Sequence, residues 1–250
     1  EQGCADVRRK HKKHIIKTWI LSIAALAVGI VFVSPLYLVF VNSVKTVREI
    51  YLSPLGLPVE ISWNNFGRVM EKIDFGQALK NSLFFVVFGV AGLLVICSMA
   101  AYRLARHRTR VNKFVYLLLV SSILVPFQTV MIPLIKIIAS IGLYNTRIGV
   151  LLAYYGYGIP FAVFLFYGFL SSIPREIEEA ALIDGGSLFQ VYRCIILPLL
   201  KPICVTVAVL DVLWIYNDFL LPFVLISDNE LRTLPLVCLL YTSDAADEAR

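Results

Sequence analysis

The sequence predicts an all-α membrane protein built as a polytopic bundle of transmembrane helices. Of its 250 residues, 59% are hydrophobic and 16% are charged, whereas roughly 25% are charged in an average soluble domain. Mean hydropathy is +0.79. Several apolar runs are longer than the ~18 residues that indicate a transmembrane helix. These observations exclude an ordinary soluble domain.

Five apolar runs are predicted to be membrane spans. They cover approximately residues 19–41, 79–101, 114–138, 148–170 and 203–226. The first run is too long for the apolar region of a signal peptide and has no small-residue cleavage pattern, so it is interpreted as an anchor. Pro35 is expected to kink the first span, whereas Pro126 and Pro133 are expected to break the third.

Basic residues predict the topology. They are concentrated in the tail, residues 1–18 (Arg8, Arg9, Lys10, Lys12, Lys13 and Lys17), and after the second span (Arg103, Arg106, Arg108, Arg110 and Lys113). They are sparser in the polar excursion, residues 42–78. Because Lys and Arg favour cytoplasmic loops, the N-terminus is expected in the cytoplasm, and by parity so is the loop after the fourth span. The position of these charges beside spans argues against nucleic acid as a partner.

Residues 227–250 are then expected to be external. The apolar run at residues 234–241 is too short to cross a hydrocarbon core of about 30 Å, and residues 242–250 form an acidic tail unlike the rest of the chain. Either this is a five-span protein with an external end, or a last span is missing and the ending is an artefact. We favour the second interpretation.

Cysteine and histidine spacing predicts no metal site. The five cysteines are Cys4, Cys97, Cys194, Cys204 and Cys238. Their number is odd and no pair has metal-ligand spacing, so they are interpreted as buried structural thiols. The histidines all fall within basic clusters.

The most informative stretch is residues 173–198, the most acid-rich part of the chain, in a loop assigned to residues 171–193. A short helix is predicted over residues 175–183, with Ser171 and Ser172 suited to cap it. Glutamates in its early turns favour the helix dipole. They are Glu176, Glu178 and Glu179.

Two further signals follow this helix. Gly185 and Gly186 are predicted to end it. Ser187 and Gln190 predict a capping box for a second helix, and prolines are expected to bend the entry into the fifth span. These prolines are Pro198 and Pro202.

The first helix has one face suited to close contact. Ile177, Ala180 and Ala181 share this face, and their small side chains would let a partner approach closely, while Glu179 lies off it and is available to a basic residue. The loop is therefore either a docking element for a soluble partner or an ordinary capped surface helix.

The spacing in this loop resembles a family signature. The pattern is Glu-Ala-Ala, three residues, Gly, nine residues, Ile, one residue, Leu-Pro, and it resembles the EAA motif of ABC importer permeases. Its specified residues are Glu179, Ala180, Ala181, Gly185, Ile195, Leu197 and Pro198.

Other stretches are similar to the carbohydrate-uptake, maltose-type branch of these permeases. They are Asn81-Ser82, AYRLAR at 101–106, VPFQ at 125–128, GLYNT at 142–146 and NDFLLP at 217–222. The resemblance covers roughly residues 15–236. The sequence departs from the family pattern at Tyr216, where Trp is usual, and lacks the sixth span that the family has.

The resemblance implies a multi-pass protein of the bacterial cytoplasmic membrane that works with ABC ATPase subunits, a second permease subunit and an extracytoplasmic substrate-binding protein. Residues 171–193 would contain the coupling helix, with Glu179 facing a basic residue of the ATPase. No G-x-x-x-x-G-K-[ST] motif occurs in the chain, so ATP is expected on the partner ATPase. No catalytic residue or cofactor is predicted for this chain.

Polar residues within apolar runs are candidates for a substrate path. A charge at the centre of a span costs about 2.5–3.5 kcal/mol on insertion scales, so Asp211 and Asp218 need a reason. Asn217 and Asp218, together with Gln128, are proposed to line a path for a sugar, although hydrogen bonding between helices also explains them. Three tyrosines of the fourth span either stack on a sugar or serve packing (Tyr154, Tyr155 and Tyr157).

Three alternatives stay open at this point. The chain could be a permease for peptides, amino acids or anions. An intramembrane enzyme would need a catalytic constellation, but Asp211 and Asp218 lie seven apart on one predicted helix. A membrane scaffold with no transport role is the third alternative.

Overall fold

The computed structural model describes the backbone of residues 2–107 and 109–248 and the side chains of residues 17–107 and 109–243. Arg108 and the side chains of the tail before Lys17, Cys4 included, lie outside the described residues. Helices are the only regular elements in this described part of the chain, which confirms the all-α prediction. The chain divides into two compact units, Glu1–Lys72 and Ile73–Arg250.

The first unit contains the first predicted span and most of the polar excursion. Its helices are α1 (Gln2–Ser43), α2 (Val47–Leu52) and α3 (Asn64–Lys72). Helix α1 continues through Pro35 without a break. The excursion folds around Lys45, whose fully buried ammonium donates to Asn42 Oδ1 and to the carbonyls of Ser53 and Gly56 at 3.1, 2.8 and 2.6 Å.

The second unit contains the remaining helices. They are α4 (Phe75–Arg106), α5 (Arg110–Ser122), α6 (Phe127–Ser140), α7 (Arg147–Ser172), α8 (Glu176–Ile183), α9 (Leu188–Val191), a π-helical turn (Tyr192–Ile196), α10 (Leu197–Leu199), α11 (Lys201–Asn217), α12 (Leu220–Leu225), a 3₁₀ turn (Asn229–Leu231) and α13 (Leu234–Glu248). Helices α4, α7 and α11 pack together and form the core of this unit.

Small residues allow these helices to approach closely. A Cβ at Gly158 of α7 would lie 2.9 Å from Leu93 Cδ1 on α4 and 3.2 Å from the Trp214 ring on α11. Glycine at such a contact brings two membrane helices within packing distance. Gly158 therefore sits at the junction of all three core helices.

Three helices are long and apolar enough to cross a membrane on their own. They contain the first, second and fourth predicted spans (Lys17–Ser43, Phe75–Arg106 and Arg147–Ser172). Two bent helix pairs bring the number to five if each pair counts as one span. The five predicted runs therefore correspond to helical segments, but two of them are not single straight helices.

The third predicted span is broken at Pro126, as expected, and α5 and α6 meet at 110°. Pro133, by contrast, lies inside α6 without ending it. The run predicted as the fifth span, residues 203–226, is not one continuous helix. Helix α11 ends at Asn217, and the Asp218 carboxylate then begins α12 by accepting the Leu220 N–H at 3.0 Å.

The segment after α12 is held against α4. The Asn81 amide donates to the carbonyls of Glu230 and Arg232 at 2.7 and 3.0 Å, and Ser82 Oγ accepts the Leu234 N–H at 2.8 Å. The short apolar run at residues 234–241 belongs to α13. Its location outside the membrane stays a prediction.

The cysteine prediction is correct only in part. Cys97 is buried and Cys204 is half-buried, whereas Cys194 and Cys238 are exposed. The exposed pair lies on the π-helical turn and on α13, where thiols are not enclosed by the helix core.

Candidate functional site

Helix α8 does not begin as predicted. Its N-cap residue is Arg175, which makes no side-chain capping bond. Ser171 and Ser172 remain on α7 and donate to carbonyls of that helix, those of Tyr167 and Phe169. The prediction that these serines cap α8 is wrong, because α7 extends far enough to use both hydroxyls.

The C-terminal end of α8 has the predicted glycine geometry. Gly185 has φ +88° and its N–H bonds to the Leu182 carbonyl at 3.1 Å, while the Gly186 N–H bonds to the Ala181 carbonyl at 3.0 Å. These two bonds form a Schellman motif. Helix α8 therefore ends at Ile183, with Asp184 as its C-cap residue.

The predicted capping box is confirmed. Ser187 Oγ accepts the Gln190 N–H at 3.3 Å, and Gln190 Oε1 accepts the Ser187 N–H at 2.8 Å. Helix α9 leads through the π-helical turn to α10, and the chain then bends by 70° into α11. This bend lies between Pro198 and Pro202, as expected.

The residues of the Glu-Ala-Ala pattern differ in their exposure. Glu179 and Ala180 are exposed, whereas Ala181 is half-buried against the core. Within the described residues, no hydrogen bond or ion pair engages the Glu179 carboxylate. Gly185 is exposed at the end of α8; of the later pattern residues, Ile195 is half-buried and Leu197 and Pro198 are exposed.

Large apolar side chains are exposed on the same loop as Glu179. Large hydrophobic residues of α8 and α9 are exposed to between 40% and 85%; they are Ile177, Leu182, Ile183, Leu188 and Phe189. We call these five residues together with Glu179 the docking surface. Large apolar side chains exposed together on one loop are typical of an interaction site.

Glu178 has a role that the sequence did not suggest. It is buried, and its Oε1 accepts from Arg106 Nε at 2.5 Å while its Oε2 accepts from the Tyr102 hydroxyl at 3.0 Å. In the sequence, Arg106 is one of the basic residues that predict the topology and part of the AYRLAR stretch, and neither feature indicates a partner for it. Adjacent residues of a helix point about 100° apart, so one of two consecutive glutamates can face inwards.

The candidate path residues lie at helix ends. Asn217 is exposed and its amide donates to the Leu213 carbonyl of its own helix, whereas Asp218 is half-buried and its carboxylate accepts the N–H of Leu220, the first residue of α12. Gln128 is exposed in the first turn of α6. No hydrogen bond joins these three side chains in the described part of the chain, and their role in a substrate path stays a prediction.

A cavity of about 730 Å³ lies between α5, α6, α7 and α11. Its lining is largely apolar and includes Tyr157, Trp214 and Asp211, but none of the three candidate path residues. Asp211 is 4% exposed, and its Oδ2 has no hydrogen-bond partner among the described residues. Asp211 thus places a carboxylate in a largely apolar site.

The three tyrosines of α7 have different surroundings. Tyr154 is fully buried between Phe85 and Trp214, with ring centroids 6.2 and 5.6 Å away, which favours a packing role. The Tyr155 hydroxyl donates to the Phe88 carbonyl at 2.8 Å. Tyr157 faces the cavity. No cluster of metal-ligating side chains is found in the residues that the structure describes.

Comparison with known proteins decides the family. Residues 92–243, more than half of the chain, match the family model described as "Binding-protein-dependent transport system inner membrane component". The chain belongs to this family. It is therefore a permease subunit of a binding-protein-dependent ABC importer, as the Glu-Ala-Ala pattern predicted, and the matched region contains α8, α9 and the docking surface.

Two curated relatives cover most of the permease. It is 38% identical over 234 residues to the "Probable starch degradation products transport system permease protein" of Thermoanaerobacterium thermosulfurigenes, covering 93% of this chain and 84% of that protein. It is 33% identical over 216 residues to the "Melibiose/raffinose/stachyose import permease protein" of Bacillus subtilis, covering 86% and 78%.

The fold also matches a solved structure. A chain of a bacterial ABC transporter involved in the import of the acidic polysaccharide alginate aligns with TM-score 0.78 and 25% identity, covering 91% of the permease and 79% of that chain. Family membership implies ATPase and substrate-binding-protein partners and a bacterial inner-membrane location.

Proposed function

We propose that this chain is the membrane permease of a sugar importer and that the docking surface binds a separate ATPase subunit. The observation that carries this proposal is the exposed Glu179 carboxylate on a helix ended by a Schellman motif, within an exposed apolar surface, in a member of the importer permease family. ATP is hydrolysed on the partner chain, and this permease contributes no catalytic residue and no cofactor of its own.

The composition of the docking surface supports a protein partner of a particular kind. Exposed apolar side chains give the contact area, and an uncompensated carboxylate selects a basic residue opposite it. Charged pairs at an interface contribute to partner choice and orientation. The surface therefore fits a groove with apolar walls and a basic residue.

Sugar as the substrate is supported by the curated relatives. The names of two of them specify starch degradation products and melibiose, raffinose and stachyose, and a third, 35% identical, is a "Multiple sugar-binding transport system permease protein" of Streptococcus mutans. Peptide, amino-acid or anion import is the alternative, but none of these three names favours it.

The remaining assignments follow from the same proposal. The N-terminus and the docking surface face the cytoplasm, and a second permease subunit completes the translocation path. Gln128, Asn217 and Asp218 are the proposed polar residues of that path. Their support is their location at ends of α6 and α11, where they are half-buried or exposed.

The docking proposal is tested by co-purification. Tagged permease is extracted from membranes that also contain the ATPase encoded with it, and the bound ATPase is quantified. Glu179→Ala is expected to lower the ATPase recovered per permease, because the interface loses its charged contact, whereas Glu176→Ala, at an exposed residue of the same helix, serves as the matched control. Equal recovery for wild type and Glu179→Ala would refute the role assigned to Glu179.

A further inference from the structure

The loop that contains the docking surface is attached to helix α4 by side chains that are not part of the docking surface. Arg106, at the end of α4, donates through Nε to Glu178 at 2.5 Å and through an Nη to the Ile173 carbonyl at 3.2 Å. Tyr102, one turn earlier, donates to the other oxygen of Glu178 at 3.0 Å. Both carboxylate oxygens of Glu178 are therefore engaged by α4.

This ion pair is shielded from solvent. The side chains of Arg106 and Glu178 are 9% and 10% exposed. Charge-assisted hydrogen bonds are shorter and stronger than neutral ones, and burial reduces their screening by salt. The contact is thus a buried ion pair that holds α8 against α4, in contrast to the solvent-exposed ion pairs of a protein surface.

Further contacts join the loop to the same part of α4. Arg175 donates to the Ala105 carbonyl at 3.3 Å. On the far side of the loop, the Tyr192 hydroxyl lies 2.8 Å from Ser98 Oγ, and its ring centroid lies 5.3 Å from that of Tyr102. The last turns of α4 therefore hold the loop both before α8 and after α9.

The covalent connections of the loop are not continuous α-helices. Helix α7 ends at Ser172 and is followed by a non-helical segment before α8. On the other side, a π-helical turn and a 70° bend separate α9 from α11. Hinges are segments of this kind, which absorb backbone rotation between rigid parts.

We infer that Arg106, Glu178 and Tyr102 form the link through which movement of the docking surface reaches helix α4. The inference rests on the proposed function, because it presupposes that an ATPase moves this surface. These are positioning residues: Glu178 and Arg106 hold α8 on α4, while Glu179 contacts the partner. Helix α4, 70 residues away in sequence, then moves with α8 as one body, and α7 and α11 adjust at their hinges.

If this link exists, breaking it should uncouple ATP hydrolysis from sugar transport while the ATPase stays bound to the permease. In proteoliposomes containing the complete importer, with its ATPase subunits, second permease and binding protein, Arg106→Gln and Glu178→Gln should keep the ATPase bound. The ATP hydrolysed per sugar molecule imported should rise by about tenfold, because mutations along a coupling network weaken the coupling between two sites. This ratio does not depend on how much permease is folded, so a purely structural role would leave it unchanged.

Two exposed residues provide matched controls. Arg103→Gln removes a basic residue one turn from Arg106, and Glu176→Gln removes a carboxylate from the same helix as Glu178. Both should keep the wild-type ratio. The double variant Arg106→Gln/Glu178→Gln should be no worse than either single variant, because both remove the same contact.

Several results would overturn the link. One is a wild-type ratio of ATP hydrolysed to sugar imported in assembled Arg106→Gln and Glu178→Gln complexes. Another is a double variant in which the increases of the two single variants in this ratio add together. If neither single variant assembles, Tyr102→Phe decides, because it removes only one hydroxyl; a rise of about threefold is expected, and an unchanged ratio refutes the link. Failure of the wild-type permease to bind the ATPase would instead refute the proposed function.

Discussion

Glu178 and Glu179 are consecutive, yet the carboxylate of Glu178 is buried against Arg106 and that of Glu179 is exposed. Helix geometry separates the two side chains by about 100°, so α8 presents one carboxylate to its own permease and the other to solvent. The two residues therefore divide the work of the loop: Glu178 attaches it to α4, and Glu179 is available to a partner.

The end of α8 depends on glycine at position 185. With φ at +88°, Gly185→Ala should destabilise the loop by about 1–2 kcal/mol, the cost of left-handed backbone for an L-residue. The loop should become more sensitive to limited proteolysis at Arg193, monitored on purified permease in detergent. Gly168→Ala, within α7 and with open space at its Cβ, is the control and should match wild type; equal proteolysis of the Gly185 variant would contradict the assigned geometry.

Asn81 holds the segment after α12. Its side chain is 1% exposed and donates to two backbone carbonyls, those of Glu230 and Arg232. Asn81→Ala removes the side-chain donor of the Arg232 carbonyl and leaves the Glu230 carbonyl with Gln77 alone. The loss of a satisfied buried contact costs about 1–3 kcal/mol, so the thermal unfolding midpoint should fall.

Gln77 offers a matched comparison for Asn81. Its amide also donates to the Glu230 carbonyl, at 3.1 Å, but in an exposed position where water can replace it. Gln77→Ala should therefore shift the unfolding midpoint less than Asn81→Ala. Equal shifts for the two variants would show that burial of Asn81 does not matter.

Asp211 should reduce the stability of the permease. It is buried within α11, and its Oδ2 has no hydrogen-bond partner among the described residues. Because an unpaired buried polar group is costly, Asp211→Leu should raise the thermal unfolding midpoint. Val209→Leu, at an exposed apolar residue of the same helix, should leave it unchanged. A lower midpoint for Asp211→Leu would mean that the carboxylate has a stabilising partner.

Features that depend on local sequence were predictable. The apolar runs predicted five helical segments, the glycines predicted the end of α8, and Ser187 with Gln190 predicted the capping box that begins α9. Pro126 predicted the break in the third span. Each of these features depends on residues within a few positions of one another, so a short stretch of sequence is enough to predict it.

Features that depend on tertiary contacts were not predictable. Arg106 and Glu178 are 72 positions apart, and nothing local distinguishes Glu178 from Glu179. The predicted serine cap of α8 failed because packing extends α7 through Ser172. The break in the fifth predicted span was missed because the Asp218 carboxylate accepts the Leu220 N–H in the middle of an apolar run, and a hydropathy pattern does not indicate such a turn.

The central claim is that Glu179 couples this permease to an ATPase that drives sugar import. It is tested most directly by uptake of radiolabelled maltose and raffinose into proteoliposomes that contain the complete importer, with wild-type, Glu179→Ala or Glu176→Ala permease inserted to equal amounts. The account predicts ATP-dependent uptake of at least one sugar for wild type and Glu176→Ala, reduced by about tenfold or more for Glu179→Ala. Wild-type uptake by the Glu179→Ala permease would contradict it.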